Sequence, residues 1–301
     1  MTRTSRSSTG ARLRVAAVQM VFAPSLEGNL ESIARAMDEV AAAGVDVVLF
    51  PECATTGSAG SFADLDSRAI RSALETLSML AARHRIHLLV GSPVFRGRRL
   101  HNALLVFDRR GRLVHAYAKC QLTERDRQWF TPGDSLSLFQ LEGGMATSIL
   151  CHERRYPELV RIPVMAGARI VFHPNAGLDS RAVSRSKHGG RDGIAVRAFE
   201  NAVFYVFANS VGPQGGGLWS AGDSKIVAPD GTVLGLADNC SGSVVVADLD
   251  LATATGRYAQ ESLQHPRFLA GHWRRIVSDM RRRLRASDGA FRKALRVGQG
   301  R

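Results

Sequence analysis

The stretch GVDVVLFPECATTG (44–57) decides how this chain is read. Residues 45–50 form a short, mostly apolar run that breaks at Pro51 and is followed at once by an acid, Glu52. A run of this length bounded by Gly and Pro predicts a buried strand. Upstream, residues 29–43 carry Leu30, Ile33, Ala34, Met37 and Val40 at helical spacing, and Gly44 stands where a helix stops. Residues 13–20 precede them as another apolar run. Strand, helix and strand in succession predict an α/β architecture.

The same grammar runs through the rest of the body. Residues 68–85 read as a helix, and 86–90, 103–107 and 113–118 as strands, with 108–112 as a hairpin turn. In the second half 145–150, 168–172, 203–208 and 244–248 read as strands. Residues 156–166 and 192–201 read as helices, with Pro157 tolerated in a first turn. No composition break separates residues 13 and 250, so one domain is expected over 13–264. A disordered segment is expected at 1–12 and a basic extension at 265–301. The extension holds most of the charge: from His272 onward ten Arg or Lys face two acids, in a chain of 301 residues with net charge +13. Its apolar residues, among them Trp273, Ile276, Met280 and Leu284, fall partly at helical spacing. That predicts a helix docking on a partner subunit, with a solvated tail or an anionic partner such as RNA or lipid as alternatives.

Other classes are set aside on composition. Four cysteines without a C-x-x-C indicate neither a disulfide scaffold nor a zinc cluster. The nine histidines show no ligand spacing, so no metal is expected, and no G-K-[ST] of a P-loop occurs. No secretory signal and no membrane-spanning apolar run is read, which makes a cytoplasmic location the expectation.

Three polar residues stand directly after apolar runs: Glu52, Lys119 and Cys151. In α/β sheets side chains converge beyond the carboxyl ends of strands. A thiol attacks poorly unless a base takes its proton, and an ammonium or N–H stabilises the negative charge that attack creates. A lone buried cysteine is nevertheless more often an inert small hydrophobe, and Glu52 could equally be a capping or salt-bridged acid. Lys119 is one of only four lysines beside 36 arginines, which hints at a chemical choice.

LFPECATTG (49–57), YAKCQLTERDRQWFTPGD (117–134) and SILCHERRYPELVR (148–161) resemble the three catalytic blocks of the nitrilase, or carbon–nitrogen hydrolase, superfamily. RVAAVQM at the start, VRAFENAVFYVFANSVG (196–212) and GDSKIVAPDGTVLG (222–235) resemble its other blocks in order. The resemblance implies an αββα sandwich that assembles as a homodimer or larger homo-oligomer and needs no cofactor. It implies Glu52 as base, Lys119 as catalytic lysine, Cys151 as nucleophile, and the His152 backbone N–H as an oxyanion donor. The family's second acid falls on Asp126 here, with Glu124 as the alternative support for Lys119, and Ser58 replaces a frequent aromatic. CHERRYPE resembles the amidase and carbamoylase branches more than C-W-E-N nitrilases. The expectation is therefore hydrolysis of a small carboxamide or N-carbamoyl compound through a Cys151 thioester. Conversion of a nitrile, or non-enzymatic binding of an anionic polymer by the tail, are the alternatives.

Around the nucleophile, a Cys151–His152 dyad is set aside because adjacent side chains diverge. Glu153 is expected to help shape the substrate entrance. Asn175, at another strand end, is read either as a substrate contact or as a turn-former. Gly215, Gly216 and Gly217 read as a flexible loop, and Arg154 and Arg155 would suit a carboxylate on the substrate.

Overall fold

The computed structural model describes residues 12–187 and 193–295, with side chains described as far as Arg282 and again at Leu295. The first half comprises β1 (Arg12–Gln19), α1 (Leu26–Ala42), β2 (Val47–Leu49), α2 (Ser67–His84), β3 (His87–Arg96), β4 (Arg99–Phe107) and β5 (Leu113–Ala118). The second comprises β6 (Phe139–Leu141), β7 (Gly144–Ser148), α3 (Glu158–Met165), β8 (Ala168–Asn175), β9 (Asp179–Ser180), α4 (Arg181–Ser186), α5 (Ile194–Asn201) and β10 (Phe204–Asn209). The chain continues with β11 (Val211–Gly215), β12 (Leu218–Ala221), β13 (Lys225–Val227), β14 (Val233–Leu236), β15 (Ser243–Asp250), α6 (Arg257–Glu261) and α7 (Arg267–Leu295).

Two six-stranded sheets, ordered β15-β1-β2-β3-β4-β5 and β14-β13-β10-β8-β7-β6, pack face to face. The two-residue period of a strand puts apolar groups on both faces of each sheet. Along β1, Leu13, Val15 and Ala17 enter the core between the sheets, whereas Ala16 and Val18 pack under α1 and α2. On the second sheet Ile170 and Phe172 face inward, and Val171 packs outward among residues of α3 and α5. The result is the expected αββα sandwich. Among the described residues no helix is long and apolar enough to cross a membrane.

Differences from the sequence reading have local causes. Gly91 and Pro93 argue for ending the third strand at residue 90, yet β3 continues to Arg96. Its neighbour β2 pairs only with residues 87–89, so beyond them Pro93 removes no ladder bond on that edge. Gly215, Gly216 and Gly217, expected as a flexible loop, cap the β11–β12 hairpin of a small third sheet with β9, each at positive φ. The extension expected from 265 forms α7, which packs on the body of the chain. Val277 and Met280 of α7 are buried with α3 against the second sheet, and Leu295 is buried among residues of the first. The disordered segment expected at 1–12 lies outside the described residues, apart from Arg12, which opens β1.

Candidate active site

β2 runs parallel to β3, and two antiparallel steps through β4 to β5 restore that direction. The carboxyl ends of β2 and β5 therefore share one rim of the first sheet, while β7 delivers residue 151 from the second. Glu52, Lys119 and Cys151 all line one cavity of about 460 Å³.

Lys119, 1% exposed, places its Nζ 2.8 Å from Glu52 Oε1 and 2.8 Å from Asp126 Oδ2. Burial alone would lower its affinity for the proton; Glu52, the Cys151 site and Asp126 outweigh this and hold it well above the usual lysine range. Burial pushes the Asp126 carboxyl up, but Lys119 and Thr123 together bring it below the usual range. The support for Lys119 thus comes from Asp126; Glu124 is exposed and stands off the cavity, correcting its candidacy. The side chain at 126, one methylene shorter than glutamate, reaches because its loop is drawn in. Gly133 N–H donates to the Lys119 carbonyl at 2.8 Å, and a Cβ at Gly133 would lie 2.2 Å from the Ala118 oxygen. Thr123 and Asp126 also brace each other, backbone to side chain in both directions.

Glu52 is oriented twice over. Asn102 on β4 donates to the same Oε1 at 2.8 Å. The turn at 51–54 is seated on β3, with Gly91 N–H donating to the Pro51 carbonyl and Ala54 N–H to that of Gly91. A Cβ at Gly91 would lie 2.4 Å from Pro51 O and 2.5 Å from Glu52 Cα, both backbone atoms that cannot step aside. Gly91→Ala is therefore expected to lower stability by roughly 1–3 kcal/mol, as overpacking does, and to reduce turnover at least ~10-fold by displacing Glu52. Thermal unfolding beside steady-state kinetics tests this; wild-type turnover in the variant would show that this seat does not position the acid.

Cys151 opens a single 3-10 turn, residues 151–155, at φ +46°, a left-handed conformation uncommon for a side-chain-bearing residue. Burial, with Glu52 next, pushes its thiol up to about 12. Neighbouring Cys53, on the cavity wall, is likewise raised, by burial first and then by Glu52. His152 also lines the cavity, its ring edge-on to Tyr156 at 5.6 Å. Burial and then Lys119 lower its proton affinity, so the ring is neutral at neutral pH.

Glu153 corrects an expectation. It is fully buried and is not among the residues lining the cavity. Its carboxylate accepts from Leu150 N–H at 2.7 Å, Cys120 N–H at 2.7 Å, Gln121 N–H at 3.0 Å and the Tyr117 hydroxyl at 2.9 Å. These bonds tie the end of β5, which carries Lys119, to the turn that carries Cys151. Asn175 does line the cavity. Its Nδ2 donates to Asn209 Oδ1 at 2.8 Å, whereas its buried Oδ1 has no donor among the described residues. Arg154 and Arg155 also line the cavity.

The sequence reading missed Asn102, Tyr117, His173 and Asn209. The signal was present for Asn102, a polar residue one step ahead of the apolar run 103–107. The others sit within or beside apolar runs, where polar atoms signal only through partners distant in sequence.

A family model described as carbon-nitrogen hydrolase matches residues 14–258. The 2-oxoglutaramate amidase of Bacillus subtilis (strain 168) is 29% identical over 212 residues, covering 68% of this chain and 78% of that protein. The hydrolase in the agr operon of Staphylococcus aureus is 28% identical over 248 residues, covering 80% and 91% respectively. Among solved structures, the NitN amidase of Nesterenkonia sp. AN1 superposes with a TM-score of 0.75 at 25% identity, covering 87% of this chain and 99% of that one.

Proposed function

This chain belongs to the carbon–nitrogen hydrolase family, and from that premise we propose that it is an amidase acting on a small, carboxylate-bearing carboxamide or N-carbamoyl compound. The observation that carries the reading is the meeting of a buried ion pair, Lys119 with Glu52, and the Cys151 thiol at the rim of one cavity.

Glu52 removes the thiol proton as Sγ attacks the substrate carbonyl. Lys119 and the His152 N–H stabilise the oxyanion. The tetrahedral intermediate collapses, Glu52 hands its proton to the departing nitrogen, and ammonia or an amine leaves a thioester on Cys151. Water, deprotonated by Glu52, then attacks the thioester and releases the acid and the free thiol. Lys119 keeps its proton throughout: Asp126 stays ionised beside it, and the oxyanion stands by it while Glu52 holds the thiol proton.

Two features favour an amide over a nitrile and an acid over a neutral substrate. Asn175 lines the cavity and its Oδ1 has no donor among the described residues, so a small shift of the side chain would let it accept from an amide or carbamoyl nitrogen, which a nitrile does not offer. Arg154 and Arg155 present charge for a carboxylate. The B. subtilis relative named for 2-oxoglutaramate, itself an acidic amide, is consistent with this.

The test is turnover and intact-mass analysis with succinamate, N-carbamoylglycine, butyramide and butyronitrile. Ammonia release from one of the first two, with an acyl adduct on Cys151, is expected. Turnover of the nitrile alone would replace the amidase reading. A second measurement separates general-base activation from a resting thiolate. With the thiol held near 12, alkylation of Cys151 is expected to keep rising past pH 9. A plateau below pH 8 would mean that Lys119 already holds a thiolate.

A further inference from the structure

Cys151 stays in its left-handed conformation only because its surroundings hold it there. Part of that hold comes from β8. His173, fully buried and outside the cavity wall, places Nε2 3.0 Å from the Cys151 carbonyl oxygen. Its Nδ1 lies 2.9 Å from the hydroxyl of Tyr205 on β10, the neighbouring strand.

The proton positions follow from the partners. A carbonyl oxygen only accepts, so Nε2 carries the hydrogen. Burial, reinforced by Arg154, holds the ring's proton affinity well below the usual histidine range, so the ring is neutral. Nδ1 is then an acceptor, and Tyr205 donates to it. The relay therefore runs in one direction, from Tyr205 through His173 to the Cys151 carbonyl.

A trans peptide is planar, with its C=O and N–H pointing in opposite directions. Anchoring the Cys151 carbonyl on β8 therefore fixes where the N–H of His152 points, on the far side of the same plane. We infer that His173, backed by Tyr205, is a positioning residue that aims the His152 N–H at the oxyanion formed when Cys151 attacks a carbonyl. The inference rests on Cys151 being the nucleophile. His173 touches neither substrate nor sulfur in this role; it acts through the backbone.

The test compares two reactions of the same thiol. Acylation by p-nitrophenyl acetate passes through an oxyanion as Sγ adds to the carbonyl and nitrophenolate departs. Alkylation by iodoacetamide displaces iodide and forms no oxyanion. In His173→Leu, acylation of Cys151 is expected to slow ~10–100-fold, toward the loss seen when an oxyanion donor is removed, while alkylation stays within about threefold. His173→Gln, whose amide N–H reaches roughly where Nε2 stands, is expected to recover most of the acylation rate. Tyr205→Phe keeps the packing and should show a smaller loss confined to acylation, which keeps the comparison available if the Leu variant does not fold. A parallel fall of both reactions, or unchanged acylation, overturns the inference. Acylation of wild-type protein at a residue other than Cys151 would instead remove the functional reading, and it would be seen before any variant is made.

Discussion

Cys151→Ala is expected to abolish amide hydrolysis, by at least ~10⁴-fold, with the fold intact. The size follows from the mechanism: without the sulfur no thioester forms, and the remaining oxyanion donors and binding groups supply only residual catalysis. Stability should change little. The thiol is a small group at the edge of a cavity, and the turn is held by Glu153 and by the bond from His173 to the Cys151 carbonyl, neither of which needs the sulfur. Substrate should still bind, since Arg154, Arg155 and Asn175 are untouched. Unfolding midpoint, binding of succinamate or N-carbamoylglycine, and turnover are the three measurements. Persistent turnover would end the assignment of the nucleophile; loss of binding and fold together would make the result uninformative about chemistry, and Cys151→Ser would then be the comparison.

Lys119→Met is expected to damage both activity and stability. Its ammonium is the shared partner of Glu52 and Asp126, and removing it leaves carboxylates in a buried site without a cation. Breaking a buried ion pair from one side typically costs about 3–5 kcal/mol, which for a chain of this size is on the order of 10 °C in Tm. Turnover should fall at least ~10²–10³-fold, because an oxyanion partner is lost and Glu52 is no longer held. Adding Asp126→Asn to Lys119→Met should return part of the stability by removing one stranded charge, without restoring turnover. A Lys119→Met protein as stable as wild type would show that the two carboxylates do not depend on it. Wild-type turnover would show that the lysine is structural.

Much of this could be read without coordinates. The apolar runs 45–50, 113–118 and 145–150 declare strands, and the residues that follow them are those the structure brings to one cavity. That legibility has a physical basis: a buried strand is written in consecutive residues, and its end is where a polar group can reach a crevice. Asp126 was readable from its place in the loop but not separable from Glu124. The separation depends on the turn at 123–126, where Thr123 and Asp126 brace each other and turn the Asp126 carboxylate onto Lys119.

By itself the sequence determined the α/β alternation, singled out Glu52, Lys119 and Cys151 as candidates, and pointed to the family, because periodicity and motif are properties of neighbours along the chain. Only the tertiary structure decided that Glu153 is a buried tie between β5 and the Cys151 turn, that α7 packs on both sheets, and that His173 grips the Cys151 carbonyl. Those outcomes turn on hydrogen bonds and burial between residues tens of positions or more apart. A polar side chain in an apolar run looks the same in sequence whether it is a misfit or a strut, and its partner across the fold is what distinguishes the two.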